Sequence, residues 1–220
     1  MIREEILDNN IKVYQDDELY TFTSDSVLLS KFATVKKGDV VADFCAGSGV
    51  VGLNLYALNS ELISSIYFFE LQEPLFNLCK MSIEKNGLTE KCFAINTRLQ
   101  DIDKSYNEKF SLIVCNPPYM KVGHGENNQF EQKALCKSEI ALSLEELCTA
   151  FGRCLKFGGR VCLVHRADRL VEVITELKKN NLEPKKLQLV CSGNKEPYLF
   201  MLEGVKGGKS GIKILNSIKN

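Results

Sequence analysis

Long apolar runs are missing from the 220 residues: none approaches the roughly 20 needed to cross a bilayer. The start, Met1 to Asn10, carries acids where a secretory leader would carry an apolar stretch, so the expectation is a cytoplasmic protein without a membrane partner. Cys-x-x-Cys pairs are missing too. The nine cysteines stand singly at Cys45, Cys79, Cys92, Cys115, Cys136, Cys148, Cys154, Cys162 and Cys191, which is not zinc-ligand spacing, and no metal site is expected. Several fall inside apolar runs, where a reduced cysteine acts as a small hydrophobe. No repeat recurs at a period of about 20 to 50 residues, which excludes a solenoid.

Net charge is also absent, with 28 Lys and Arg against 28 Asp and Glu. The balance hides a division. Residues 1–151 hold 14 basic against 22 acidic side chains, and residues 152–220 hold 14 against 6. The second stretch therefore permits contact with phosphates without demanding it.

What is present reads as one α/β core. At 45% hydrophobic and 25% charged residues, the composition is that of an ordinary globular domain. Five β-rich runs alternate with helical patterns: Val40–Phe44, Ser65–Phe69, Cys92–Ile95, Ser111–Cys115 and Val161–Val164. Nearly continuous apolar strands interleaved with helices predict a parallel sheet covered on both faces. Apolar residues three and four apart predict helices over Val50–Leu58, Glu73–Asn86, Ser143–Leu155 and Ala167–Lys179. Leu187–Val190 and Tyr198–Leu202, joined across Gly193-Asn194, predict an antiparallel hairpin added at the sheet edge, for seven strands in all. Before the sheet, Lys12–Tyr20 reads as a small hairpin leading to Ser24-Asp25, a helix N-cap. The chain divides into an N-terminal extension (1–35), a central domain (36–205) and a basic tail (206–220). The connection Lys121–Lys137 is polar and long for such a fold, the kind of loop that often serves function.

The first strand runs into Asp43-Phe44-Cys45-Ala46-Gly47-Ser48-Gly49-Val50-Val51-Gly52, a G-x-G-x-x-G turn opening a helix. Such a turn lets backbone approach a ligand, and Glu70, at the end of the second strand, is placed to accept from ribose hydroxyls. Either a nicotinamide dinucleotide or S-adenosylmethionine carries the adenosine this requires. A carboxylate at Asp43 would do nothing for a pyrophosphate and would favour a ligand with an ammonium group, so it points to S-adenosylmethionine. Asp101, shortly after the third strand, can accept from an adenine amine while the Ile102 N–H meets the ring. A loop aspartate capping a turn is the other reading of Asp101.

The fourth strand ends in Asn116-Pro117-Pro118-Tyr119. The Asn116 side-chain oxygen and the Pro117 carbonyl can accept both hydrogens of a planar amine, bonds that strengthen as positive charge develops on its nitrogen. Consecutive prolines stiffen the backbone that carries these acceptors, and Tyr119 can stack on a base. Other signals are weaker. Gly204–Ser210 is one residue short of a P-loop and reads as a flexible basic loop, and His124 and His165 lack a nucleophile partner, which leaves them structural or surface roles.

Together Tyr20–Leu29, Asp43–Gly52, Glu70, Asn116–Tyr119 and Val164-His165-Arg166 resemble the bacterial tRNA(Val) adenine-37 N6-methyltransferases over nearly the whole chain. That resemblance implies a Rossmann-like class I methyltransferase fold, S-adenosylmethionine as cofactor and tRNA as partner. Carried over by position, Asp43, Gly47, Gly49, Glu70, Asp101, Ile102 and Asn116 would hold the cofactor, and Asn116, Pro117 and Tyr119 would meet the target amine. Cys45 departs from the glycine common at its position, and is expected to keep a negative φ. The Asn-Pro-Pro-Tyr motif also occurs in DNA adenine methyltransferases and in enzymes that methylate a glutamine amide of release factors. Methylation of a protein amide is therefore an alternative, as are a nicotinamide-dependent oxidoreductase and a non-catalytic RNA-binding module.

Overall fold

The computed structural model describes every residue except Tyr20 and 119–141. It begins with a hairpin, β1 (Ile2–Ile6) against β2 (Lys12–Asp16), so Lys12 opens the second strand of a hairpin whose partner lies upstream. The expected Lys12–Tyr20 hairpin is thus displaced. β1 is polar and largely exposed, and carries no alternation of apolar residues by which the sequence could reveal it. The hairpin is tied to the body by long-range bonds, Lys12 N to Asn86 Oδ1 (3.0 Å) and Tyr14 N to Ser82 Oγ (2.9 Å).

Helix α1 (Ser24–Phe32) follows, with Thr23 as N-cap, one residue earlier than expected. Then come β3 (Asp39–Phe44), α2 (Val50–Asn59), β4 (Ile63–Glu70), α3 (Glu73–Lys85), β5 (Cys92–Asn96) and β6 (Phe110–Cys115). Beyond the undescribed stretch lie α4 (Leu144–Cys154), β7 (Leu155–Arg166), α5 (Leu170–Lys179), β8 (Leu182–Cys191) and β9 (Pro197–Lys206). Ser143 and Glu146 close a reciprocal capping box at the start of α4.

The strands order as β8-β9-β7-β6-β3-β4-β5, parallel from β7 to β5 and antiparallel through the β8–β9 hairpin. These are the seven expected strands. Two short ones join them: β10 (Lys213–Ile214) and β11 (Ile218–Lys219) both run parallel to β8. Gly204, Val205 and Lys206 belong to β9, so the loop expected at Gly204–Ser210 is shorter, and the tail completes the sheet edge instead of hanging free. Backbone groups on an open edge need partners, and the tail supplies them.

Alternation along the strands sends Val41 and Leu112 to one face and Ala42, Phe44 and Ile113 to the other. The first face packs with Leu29, Leu53 and Ile83 of α1, α2 and α3, the second with Phe151 and Leu177 of α4 and α5. On the second face Phe44 stacks on Phe151 (5.9 Å between centroids) and meets Phe69 edge-on (5.2 Å). Each such fully buried ring contributes about 1.5–3 kcal/mol. Among the described residues no helix is long and apolar enough to cross a membrane.

Candidate active site

β3 and β6 are neighbours in parallel register, with Phe44 opposite Cys115. The next residues, Cys45 and Asn116, therefore leave the sheet side by side at its carboxyl edge. The glycine turn and the Asn-Pro-Pro segment share one edge, which is where ligands of such sheets bind.

The chain reverses as soon as it leaves β3. Cys45 has φ +58°, Gly47 +57° and Gly49 +88°. The negative φ expected of Cys45 is wrong: the turn folds back over β4, with Ala46 N donating to Phe69 O (3.1 Å) and Gly49 N to Ala46 O (2.8 Å). That path needs a left-handed residue straight after the strand, and the Cys45 side chain gains packing on the second core cluster beside Cys115 in exchange for the strain. The glycines differ in what they avoid. A Cβ on Gly49 would lie 2.8 Å from Cys79 Sγ, and one on Gly52 would strike the Phe68 ring, whereas a Cβ on Gly47 would meet nothing within 4 Å among the described residues. Gly49 and Gly52 let α2 approach the sheet, and Gly47 borders open space.

Asp43 lies beneath the turn, fully buried. Its Oδ2 accepts from Gly52 N (2.8 Å), while its Oδ1 has no partner among the described residues. Burial pushes its carboxyl up to about 8, and the nearby Glu70 charge acts the same way against the Gly52 bond. Glu70, at the end of β4, holds the turn directly: Oε2 accepts from Gly47 N (2.8 Å) and Oε1 from Gln72 N (2.8 Å). Burial raises its pKa as well, opposed by those N–H bonds.

Asn116 donates through Nδ2 to Ser26 Oγ at 3.0 Å, and Pro117 behind it is buried. A cavity of about 360 Å³ opens beside Pro117 and Pro118, walled also by Ser143, Leu144, His165 and Arg169. His165 is buried in β7, its Nδ1 accepts from Arg166 N (2.9 Å), and burial lowers its pKa to about 4, so it stays neutral. Asp101 ends a short 3-10 turn (Leu99–Asp101) just after β5, at the same edge, and is exposed. Ile102 is buried under it, with its carbonyl held by Arg153 (2.9 Å). Tyr119, the 121–137 connection with His124, and Cys136 lie outside the described residues.

The motifs did not single out Gln15, Ser26 or Ser48 individually. Gln15 is 1% exposed on a hairpin strand; its Nε2 donates to Ser48 Oγ in the glycine turn, and its Oε1 accepts from Phe22 N (3.2 Å). The one available signal was a polar residue two positions after Val13, where alternation points inward.

At 28% identity over 144 residues the chain matches a tRNA1(Val) (adenine(37)-N6)-methyltransferase of Shewanella sp. W3-18-1, covering 64% of this chain and 58% of that relative. A protein of the same name from Shewanella sp. MR-4 is 25% identical over 193 residues, 80% of each chain. Among solved structures, a predicted O-methyltransferase of Agrobacterium tumefaciens superposes with a TM-score of 0.69 at 15% identity, covering 89% of this chain and 86% of that one. The P. horikoshii TYW2 in complex with MeSAdo gives 0.66 at 14%, covering 94% and 72%. These structural likenesses establish the fold, a class I methyltransferase sheet. Residues 9–180, most of the sequence, match the family described as Methyltransferase small domain, and the chain belongs to that family.

Proposed function

We propose that this protein transfers a methyl group from S-adenosylmethionine to the exocyclic N6 of an adenine in tRNA, at position 37 of tRNA(Val). The observation that carries the reading is the pairing of Phe44 with Cys115, which sets the glycine turn beside Asn116 and Pro117. The names of the Shewanella relatives supply the nucleotide and the tRNA.

The residues present fit the cofactor. Asp43 Oδ1 is buried and has no partner among the described residues, a place where an ammonium group would hold the carboxyl ionised, and Gly47 borders free space among the described residues. Glu70 would take the ribose hydroxyls on lone pairs left over by its two backbone bonds, and Asp101 and the Ile102 N–H would take the adenine edge. Gly49 keeps the turn close to Cys79 and the sheet. S-adenosylmethionine, when bound, supplies an electrophilic methyl on a positively charged sulfur.

At the acceptor side, the adenine amine is a weak nucleophile because its lone pair is delocalised into the ring. Asn116 Oδ1 and the Pro117 carbonyl accept its two hydrogens and draw the nitrogen toward a tetrahedral shape, and both bonds strengthen as positive charge grows there. The methylated nitrogen then loses a proton to water, so neither a high-pKa base nor neutral His165 is needed. Tyr119 is assigned the stacking contact with the base. An adenine in the anticodon loop is reached at less cost than one in a duplex.

The test is methyl transfer from labelled cofactor to total tRNA prepared from cells lacking the protein, followed by nucleoside analysis. N6-methyladenosine in tRNA(Val) is the expected product. In a parallel reaction with total protein from the same cells, label in glutamine, with none in the tRNA, would replace RNA with the amide substrate.

A further inference from the structure

A carboxamide can present either of two opposite faces. With its oxygen toward the target, Asn116 accepts an amine hydrogen; rotated by half a turn, it presents an NH2 group that repels the same hydrogen. Catalysis therefore requires something to choose the rotamer. In the structure the Asn116 Nδ2 donates to the hydroxyl of Ser26, 90 residues earlier, at 3.0 Å. Ser26 is 4% exposed on the first turn of α1, so water competes poorly for that bond.

The backbone that carries the hydroxyl is itself anchored. Ser26 N donates to Thr23 O (3.2 Å) and Thr23 Oγ1 to Asp25 Oδ2 (2.9 Å), which fixes the helix start. Just before it, Phe22 N donates to Gln15 Oε1, and the other end of that amide reaches Ser48 of the glycine turn. One run of bonds thus joins the turn, the entry to α1 and the acceptor segment.

We infer that Ser26 is a positioning residue: by engaging the amide nitrogen of Asn116, it turns the carboxamide oxygen toward the planar amine to be methylated. The inference rests on the proposed methyl transfer for its consequence, but the bond can be tested without it. The Ser26 contact is indifferent to whether that amine belongs to adenine or to glutamine.

The first measurement uses no substrate. The side-chain NH2 resonances of Asn116, assigned by their loss in Asn116→Asp, are recorded in the wild type, Ser26→Ala and Ser26→Thr. They are expected to move in the alanine variant and to stay in the threonine variant, which keeps the hydroxyl. Resonances unmoved in Ser26→Ala overturn the proposal whatever the activity. The second is kinetic: Ser26→Ala should lower kcat about tenfold, as misorientation of a reacting group does. KM for tRNA and cofactor affinity should stay within about twofold, and threonine should restore most of kcat. A rise in KM or a loss of cofactor affinity with kcat preserved would mean that Ser26 only seats α1. A wild type that methylates no RNA would remove the substrate reading and leave the spectroscopic result standing.

Discussion

Strand β3 carries two buried aspartates, one at each end, and they are treated in opposite ways. At the amino end Asp39 is fully paired. Its Oδ2 takes Arg160 at 2.6 Å and Lys36 N at 2.7 Å, its Oδ1 takes Ser111 Oγ at 2.7 Å, and Arg160 also reaches Thr34 O at 2.7 Å. At the carboxyl end Asp43 has one backbone bond and, among the described residues, an oxygen without a partner, under a turn that contains a strained cysteine. One end uses its polar groups to hold β3, β6 and β7 together, and the other leaves a carboxyl oxygen without a partner among the described residues, where the proposed cofactor would bind. Unpaired buried polar groups cost stability, so they persist where function needs them.

That contrast can be broken in order of expected effect. Arg160→Ala leaves Asp39 buried without its cation and should destabilise the fold by about 3–5 kcal/mol in denaturant melts, while activity per folded molecule changes little. Asn116→Ala should do the reverse, lowering single-turnover methyl transfer about 10²–10³-fold with a nearly unchanged melting temperature. An Arg160 variant that loses its chemistry while folded would erase the division between the two ends.

Asp43 sharpens it through pH. Its folded pKa, about 8, lies above the ordinary 3.8, so across that window the folded state holds a proton the unfolded chain has released. Its stability contribution is complete below the ordinary value and is lost as pH rises through about 8. Asp43→Asn should flatten that decline, leaving the part due to Glu70, which shifts in the same direction. The same variant should bind cofactor about 10- to 100-fold more weakly, consistent with loss of a charge-assisted bond of about 1.5–3 kcal/mol. A pH–stability curve identical to the wild type's would show that Asp43 is ionised in the fold.

Cys45→Gly comes next, expected to stabilise the protein by about 1 kcal/mol or less, because relief of the φ +58° strain is partly offset by glycine's chain entropy and the lost side-chain packing. The smallest effect concerns the lysines. Antiparallel β9 carries Lys206 and the turn after it to the amino edge, whereas Lys195, between β8 and β9, and Lys219 of β11 lie at the carboxyl edge. Lys195→Ala and Lys219→Ala should each raise KM for tRNA and reduce its salt dependence by up to about one unit of slope, and Lys209→Ala should do neither.

Much of this was readable in the chain. Continuous apolar strands such as Leu112–Cys115 can only be buried on both faces, and a proline pair straight after one marks where it stops, so the sheet and the Asn116 edge were visible locally. β1 is not legible because its three central residues are charged and it lies largely exposed, and Lys12–Tyr20 reads as a hairpin without it. β10 and β11 escaped because two-residue strands have no period to read. The φ of Cys45 is not legible in the chain, because it depends on where β4 lies, which no local pattern reports. Tyr119 was placed by motif and lies outside the described residues.

The sequence by itself determined the layers, the order of elements and the chemical types at the sheet's carboxyl edge, since burial periodicity and backbone stiffness are properties of neighbouring residues. Only the tertiary structure decided that Asp39 is satisfied and Asp43 is not, that Gly47 alone of the turn's glycines borders open space, and that a helix-entry serine grips the Asn116 amide. Those outcomes depend on partners far apart in the chain, from nine residues for Asp43 and Gly52 to 121 for Asp39 and Arg160, which meet only once the strands are in register.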